Sequence, residues 1–214
     1  MIHSLQASQC PPGMYFYQAD KILARLAAGC ARLYTGKMDD IAPAPIAEDG
    51  LFARLDALDV AYVLHNHPPA FTVEEARNLR GSISGAHVKN LFLRDKKKNL
   101  WLVTVQEDRQ IDLKVLRQIL DTRGNLSFGS ADLLMAILGV IPGAVTPFGI
   151  INDTNGVVRV VLDKELLAQD PVNAHPLRND MTIAVAPEGL IRFLEAERHT
   201  PIIVDFDKMA LSAG

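Results

Sequence analysis

One lysine stands in a stretch that otherwise asks to be buried. In Gly85-Ala-His-Val-Lys-Asn-Leu-Phe-Leu93 the apolar positions read as a β-strand, so the Lys89 ammonium must be paired, reach a cleft, or have its pKa moved. The alternative is a stem that snorkels past apolar neighbours into water. Asn90 follows directly, and adjacent strand residues point to opposite faces unless a bulge re-aims one. A second segment, Gly139-Val-Ile-Pro-Gly143, has glycines that permit unusual dihedrals and leave backbone amides to meet an oxygen anion; a helix stop with two turns explains it equally. A third, Asn173-Ala-His175-Pro-Leu-Arg-Asn179-Asp180, offers an imidazole and a carboxamide, against which stand a solvated histidine and a simple Asx-turn. These three segments could assemble a site. No G-x-S-x-G nucleophile motif is present.

His65-x-His67 with His87 and His175 supplies enough imidazoles for a zinc site. Neither a carboxylate pair nor a cysteine stands at ligand spacing, and Pro68-Pro69 makes a turn, so no metal and no cofactor is expected.

The elements that must position these groups alternate at short intervals. Leu51, Phe52, Leu55 and Leu58 recur at helical spacing, and Val60 to Leu64 forms a short strand that His65 to Pro69 cannot continue. Thr72-Val-Glu-Glu75 is a capping box for a helix running to about Arg80 and stopping at Gly81. Strands at about 87–93 and 100–106 form a hairpin whose tip, Arg94-Asp-Lys-Lys-Lys-Asn99, is basic. An amphipathic helix over 112–120 follows, then one capped by Ser130 and ended by Gly139. Val157–Leu162 is β-branched enough for an interior strand, and strands at 181–186 and 202–206 flank a helix opened by Pro187. Hairpins mixed with crossover helices imply an α/β fold with a mixed, strongly curved sheet and helices packed outside.

The chain has 214 residues and a formal net charge of -3, so no global field draws it to phosphate backbones and any nucleic-acid contact must be local. Its two cysteines, Cys10 and Cys30, have no partner framework, which points to a reducing, cytoplasmic compartment. No apolar run approaches the roughly twenty residues of a membrane span. Residues 1–47, with Pro11 to Gly13 and a Pro-rich linker ending at Pro45, read as a separable extension, a leader or a docking segment, ahead of a domain over 48–209.

The three site segments, in this order, resemble the YbaK-like family of aminoacyl-tRNA editing domains, in particular its free-standing prolyl-tRNA editing branch. The likeness runs from about Leu51 to Phe206 and includes His67-Pro-Pro-Ala-Phe71, Leu126-Ser-Phe-Gly129, Ile151-Asn-Asp153 and the three segments above. Each piece is weak alone; their joint order is specific. The resemblance implies a small, barrel-like mixed domain that hydrolyses the ester of mischarged tRNA, most of all alanine on proline tRNA. It implies that Lys89 polarises the ester carbonyl or anchors the terminal nucleotide and that Gly139 to Gly143, with Ile141 and Pro142, bind substrate oxygen through the backbone. By the same likeness Asn90 and His175 orient substrate or water, His67 and Phe71 wall the pocket, and Asn179 buttresses the histidine loop. For the acceptor end of the tRNA, Arg94 and Lys96, Lys97 and Lys98 are the candidate phosphate contacts, with Arg77 and Arg80 as neighbours. Prolyl-tRNA synthetase is the candidate protein partner. A non-catalytic module holding an aminoacyl end or a nucleotide in the same cleft is the alternative.

Overall fold

Strand β3, Leu100–Gln106, is apolar at almost every position because both of its faces are covered. The computed structural model describes residues 44–69, 83–122 and 124–208. In chain order these form α1 (Glu48–Ala57), β1 (Tyr62–Asn66), β2 (Ala86–Arg94), β3, α2 (Leu113–Ile119), β4 (Ser127–Phe128), α3 (Ala131–Leu138), a 3-10 turn (Pro147–Asn152), β5 (Val158–Asp163), β6 (Val172–Ala174), β7 (Met181–Val185), α4 (Pro187–Ala196) and β8 (Ile202–Val204). The eight strands make one mixed sheet in the order β1-β7-β6-β2-β3-β5-β8, with β4 added beside β2. β1 on β7, β3 and β4 on β2, and β6 on β7 run antiparallel, while β6 on β2, β5 on β3 and β8 on β5 run parallel.

One face packs Phe92, Leu102, Val160 and Ile183 against Leu51 and Leu55 of α1, Leu138 of α3 and Phe193 of α4. The other packs Leu93, Trp101, Val103, Val105 and Val161 against Leu116 of α2, with Val204 and Phe206. The helix ends follow their side chains. Asp112 accepts the Lys114 amide at 2.7 Å, Ser130 accepts that of Leu133 at 3.2 Å, and Gly139 closes α3 in the left-handed region with φ 65°. Pro187 opens α4 as expected.

Several boundaries differ from the sequence reading. β1 starts later and continues through His65 and Asn66, because those residues pair with Thr182 and Met181 of β7; the ladder outlasts the apolar run. β8 ends at Val204, and the chain turns helical at Phe206. β4 and β6, two and three residues long, are too short to show a period and lie where the sequence reading placed no strand. Pro45 and Ile46, read as part of the extension, meet the domain: Ile46 and Asn152 exchange two hydrogen bonds, at 2.6 and 3.2 Å. The capping box at Thr72 and its helix lie outside the described residues.

Candidate active site

β2 is nine residues long, but one of its two edges is covered only at the ends. β6 runs beside Ala86 and His87, and β4 beside Leu93 and Arg94. Between them Val88 to Leu91 pair with β3 alone, so no described strand lies on that side. Gly85 makes the entry possible: it has φ 98°, and a Cβ there would lie 2.2 Å from the Pro171 carbonyl oxygen. The open edge is bordered by the loop after α3 and the loop after β6.

Alternation along β2 sends Lys89 and Asn90 to opposite faces, as the sequence predicts. Asn90 faces the core shared with α3, where its Nδ2 donates to the Val145 carbonyl at 2.8 Å and its Oδ1 accepts from Thr104 Oγ1 at 2.8 Å. Thr104 is its cross-strand partner on β3 and is fully buried. The loop thus bound to β2 is fixed at its other end by Asn152, whose Nδ2 donates to the Leu138 carbonyl at 3.1 Å. Val140 and Ala144 are buried, leaving Ile141, Pro142 and Gly143 as an exposed crest. Gly143, with φ 91°, comes close to Asn179: a Cβ there would lie 3.9 Å from Asn179 Nδ2.

Across the sheet, Lys89 shares its side with Leu91, Leu93 and Val105. Its Nζ donates to the Arg109 carbonyl. Burial lowers the Lys89 pKa, and Asp108 partly offsets this. Arg109 is itself held by the fully buried Asp163 at 2.5 Å, by Asp207 at 2.7 Å, and over the Phe206 ring. Burial raises the Asp163 pKa despite the Glu165 amide and Arg109 beside it. The hydrogen bond to Asp207 and both carboxylates outweigh burial for Arg109 and raise its pKa. The loop after α3 is touched by Asn90, through the Val145 carbonyl, whereas the Lys89 amine turns to the Arg109 carbonyl on the other face of the sheet.

His175 Nδ1 lies 2.8 Å from the Met181 carbonyl. A carbonyl only accepts, so Nδ1 carries a hydrogen. His67 behaves likewise, with Nδ1 2.9 Å from the Pro68 carbonyl and Nε2 3.0 Å from Thr182 Oγ1. The two rings are 6.0 Å apart between centroids. The structure therefore brings together His67, His175 and Thr182, and separately Gly143 with Asn179 and Asn90 with Val145. Phe71, Arg77 and Arg80 lie outside the described residues. Arg94 and Lys96 to Lys98 are exposed on the hairpin tip, whose shape Asp95 sets by accepting the Lys97 and Asn99 amides at 2.8 and 2.9 Å.

Thr104, Thr182 and the Arg109 carbonyl were missed by sequence reasoning. Thr104 had a signal, a lone hydroxyl in an apolar strand opposite Asn90; the carbonyl had none.

Among the described residues, the edge of β2 at Val88–Leu91 is thus bordered by a glycine loop and a histidine loop. The family model for the aminoacyl-tRNA editing domain matches residues 67–193, and the chain belongs to that family. It is 42% identical over 158 residues to the mouse (Mus musculus) "Prolyl-tRNA synthetase associated domain-containing protein 1", covering 72% of this chain and 93% of that one. It is 38% identical over 155 residues to the "Prolyl-tRNA editing protein ProX" of Acetoanaerobium sticklandii, covering 72% and 94%. A crystal structure described provisionally as a trans-editing enzyme for prolyl tRNA synthetase superposes with a TM-score of 0.57 at 20% identity, covering 78% of this chain and 98% of that one. That likeness shows the shared mixed α/β fold.

Proposed function

We propose that this protein is a trans-editing deacylase of the cytoplasm that hydrolyses alanine esterified to proline tRNA. The observation that carries the reading is the edge of β2 at Val88–Leu91, which no described strand covers, with Asn90 bound to the glycine loop on one face, Lys89 on the other, and the His67–His175 pair in the bordering loops. An aminoacyl ester is already activated. Its hydrolysis needs a placed water, donors for the developing oxyanion and a small acyl pocket.

In this reading the crest Ile141–Gly143 offers backbone donors to the carbonyl oxygen as it becomes an oxyanion, and Lys89 supplies the cation that anchors or polarises the ester end. His67 and His175 orient water and substrate, with Asn179 bracing their loop. Water oxygen bonds to the ester carbon, the bond to the ribose oxygen breaks, and that oxygen leaves with a proton as the tRNA hydroxyl; the products are free alanine and intact tRNA. A second sieve of this kind has a physical reason, since a missing methylene is worth only about 1 to 3 kcal/mol in a binding pocket. The likeness in sequence to an editing protein named for prolyl-tRNA supports the choice of tRNA, and the exposed Arg94 and Lys96–Lys98 suit its phosphates. Prolyl-tRNA synthetase is the protein partner such a reading favours.

The test is release of amino acid from a panel of charged tRNAs by the purified full chain. Alanine should leave proline tRNA at least tenfold faster than proline does, and Lys89→Ala should stop release without changing the melting curve. Tight binding of charged tRNA with no turnover would overturn the enzyme in favour of a binding module.

A further inference from the structure

β4 carries an aromatic ring that the fold leaves uncovered. Phe128 pairs with Leu93 of β2 and so lies on the sheet side of Leu93, Leu91 and Lys89. Leu93 is fully buried and Leu126, two residues before Phe128, is buried with it, yet Phe128 remains 63% exposed. Its backbone is not loose. The Gly129 amide donates to the Phe92 carbonyl at 2.9 Å, Ser127 Oγ donates to the Arg94 carbonyl at 3.3 Å, and Ser130 caps the following helix. A Cβ at Gly129 would lie 2.4 Å from the Phe92 ring, so the glycine lets β4 seat closely. A large apolar ring on a fixed backbone, left in water, suggests a partner with a flat face.

The surroundings say which partner. Arg94 pairs with Ser127, next to Phe128, and Lys96, Lys97 and Lys98 follow on the exposed tip. The Lys96 stem lies against Gly124, where a Cβ would be 2.6 Å from its Cδ, which ties the tip to the segment leading into β4. A fixed aromatic beside a cluster of cations matches the pattern by which proteins hold unpaired nucleic acid, bases stacked on rings and phosphates on cations. Four strand residues, roughly 13 Å, separate Lys89 from Leu93, a span that one or two terminal nucleotides can bridge.

We propose that Phe128 is a stacking platform for one unpaired base near the 3′ end of the RNA substrate, holding the strand so that its terminal ester reaches the open edge of β2. This rests on the deacylase reading for the identity of the RNA, and its test separates the two.

The probe is an acceptor-stem RNA hairpin with an unpaired 3′ end, carrying 2-aminopurine in turn at each of the last three positions. Full-length protein should quench one of them, Phe128→Tyr should keep the quench, and Phe128→Leu should lose it and weaken binding about 30-fold, the middle of the range for one stacked base. In charged-tRNA assays Phe128→Leu should raise KM with kcat within twofold, while a blunt duplex without the overhang binds both proteins equally. Replacing Lys96, Lys97 and Lys98 with alanine should flatten the salt dependence and keep the quench. If Phe128→Leu binds and quenches as the wild type does, the platform is overturned even if hydrolysis is confirmed. If the quench follows Phe128 but no alanine is released, the platform stands and the deacylase falls.

Discussion

Replacing Asn90 with alanine should cost the protein more activity than stability. The side chain bridges the glycine loop, through the Val145 carbonyl, to the buried Thr104 hydroxyl on β3, both at 2.8 Å. Truncation leaves one acceptor and one donor unpaired, and each such group costs about 1 to 3 kcal/mol when shut away from water. Asn90 itself is half-buried at an open sheet edge, so water replaces part of the loss and about 2 kcal/mol is expected in total. For a domain of this size that lowers Tm by about 4 to 8 °C, and the fold survives. The loop, however, loses its tie to β2 beside the reacting centre, and a misplacement of about 1 Å costs on the order of 100-fold in rate. Thr104→Val is the control: it removes one hydrogen bond and leaves the bond to Val145 in place, so it should cost about 1 kcal/mol with kcat/KM within a few-fold of wild type. Urea unfolding at constant m, run beside single-turnover deacylation of charged tRNA, reads both quantities. If Asn90→Ala keeps full kcat/KM while losing stability, or if Thr104→Val loses as much activity as Asn90→Ala, the claim that the amide positions the loop for chemistry is refuted.

Four further outcomes are expected. His199 has acceptors at both ring nitrogens, the Glu197 carbonyl at 2.7 Å and Asp153 at 3.0 Å, so it is held as an imidazolium; burial lowers its pKa, but these partners outweigh burial and raise it above 6.5. Burial pushes Asp153 up, and His199 with the Val157 and Val158 amides pulls it below 3.8. The His199 contribution is therefore complete below pH 6.5 and fades as pH rises through the raised value, while that of Asp153 is complete above 3.8 and fades as pH falls through the lowered one. Urea midpoints should fall from pH 6 to pH 9 in wild type and much less in His199→Gln; equal slopes would remove the imidazolium. Asp153→Asn should destabilise by about 3 to 5 kcal/mol at pH 6, as a broken buried pair does. Because burial lowers the Lys89 pKa from its ordinary 10.5, a role for its charged form predicts that kcat/KM declines with rising pH before that value is reached, and that Lys89→Arg moves the decline upward. Gly85→Ala forces a Cβ to within 2.2 Å of the Pro171 carbonyl at φ 98°, which should cost more than about 2 kcal/mol and separate β2 from β6, seen as faster amide exchange at Ala86.

What was legible in the sequence follows from what leaves a periodic or a chemical mark. The β2–β3 hairpin, the Ser130 cap, the Gly139 stop and the Pro187 start each rest on local physics, and each is found in place. Opposed faces for Lys89 and Asn90 also follow from alternation alone. The two short strands did not show, since two or three residues carry no period, and the end of β1 was hidden because its last residues are polar and are held by pairing with β7. Of the site, the groups with distinctive side chains could be named, but the partners that fix them are an ordinary threonine, a loop carbonyl and a backbone oxygen of Met181. Such partners become visible only when register and loop course are known.

The short strands also resolve the difficulty that the sequence posed. Two consecutive residues of a strand cannot face one pocket in a complete sheet, and no bulge re-aims either Lys89 or Asn90: the register with β3 is unbroken from Val88 to Arg94. Had β6 been longer, it would have covered Val88 to Leu91 and sealed the two faces from each other. Because β6 ends beside His87 and β4 begins only at Leu93, no described strand closes the edge between them, and that edge borders both faces of the sheet. A substrate lying across that edge can meet the loop held by Asn90 on one side and the Lys89 amine on the other. A strand edge without a partner strand is ordinarily a hazard, open to pairing with another chain; among the described residues such an edge stands in the middle of this sheet, bordered by glycine and histidine loops, and a purely structural role does not require it.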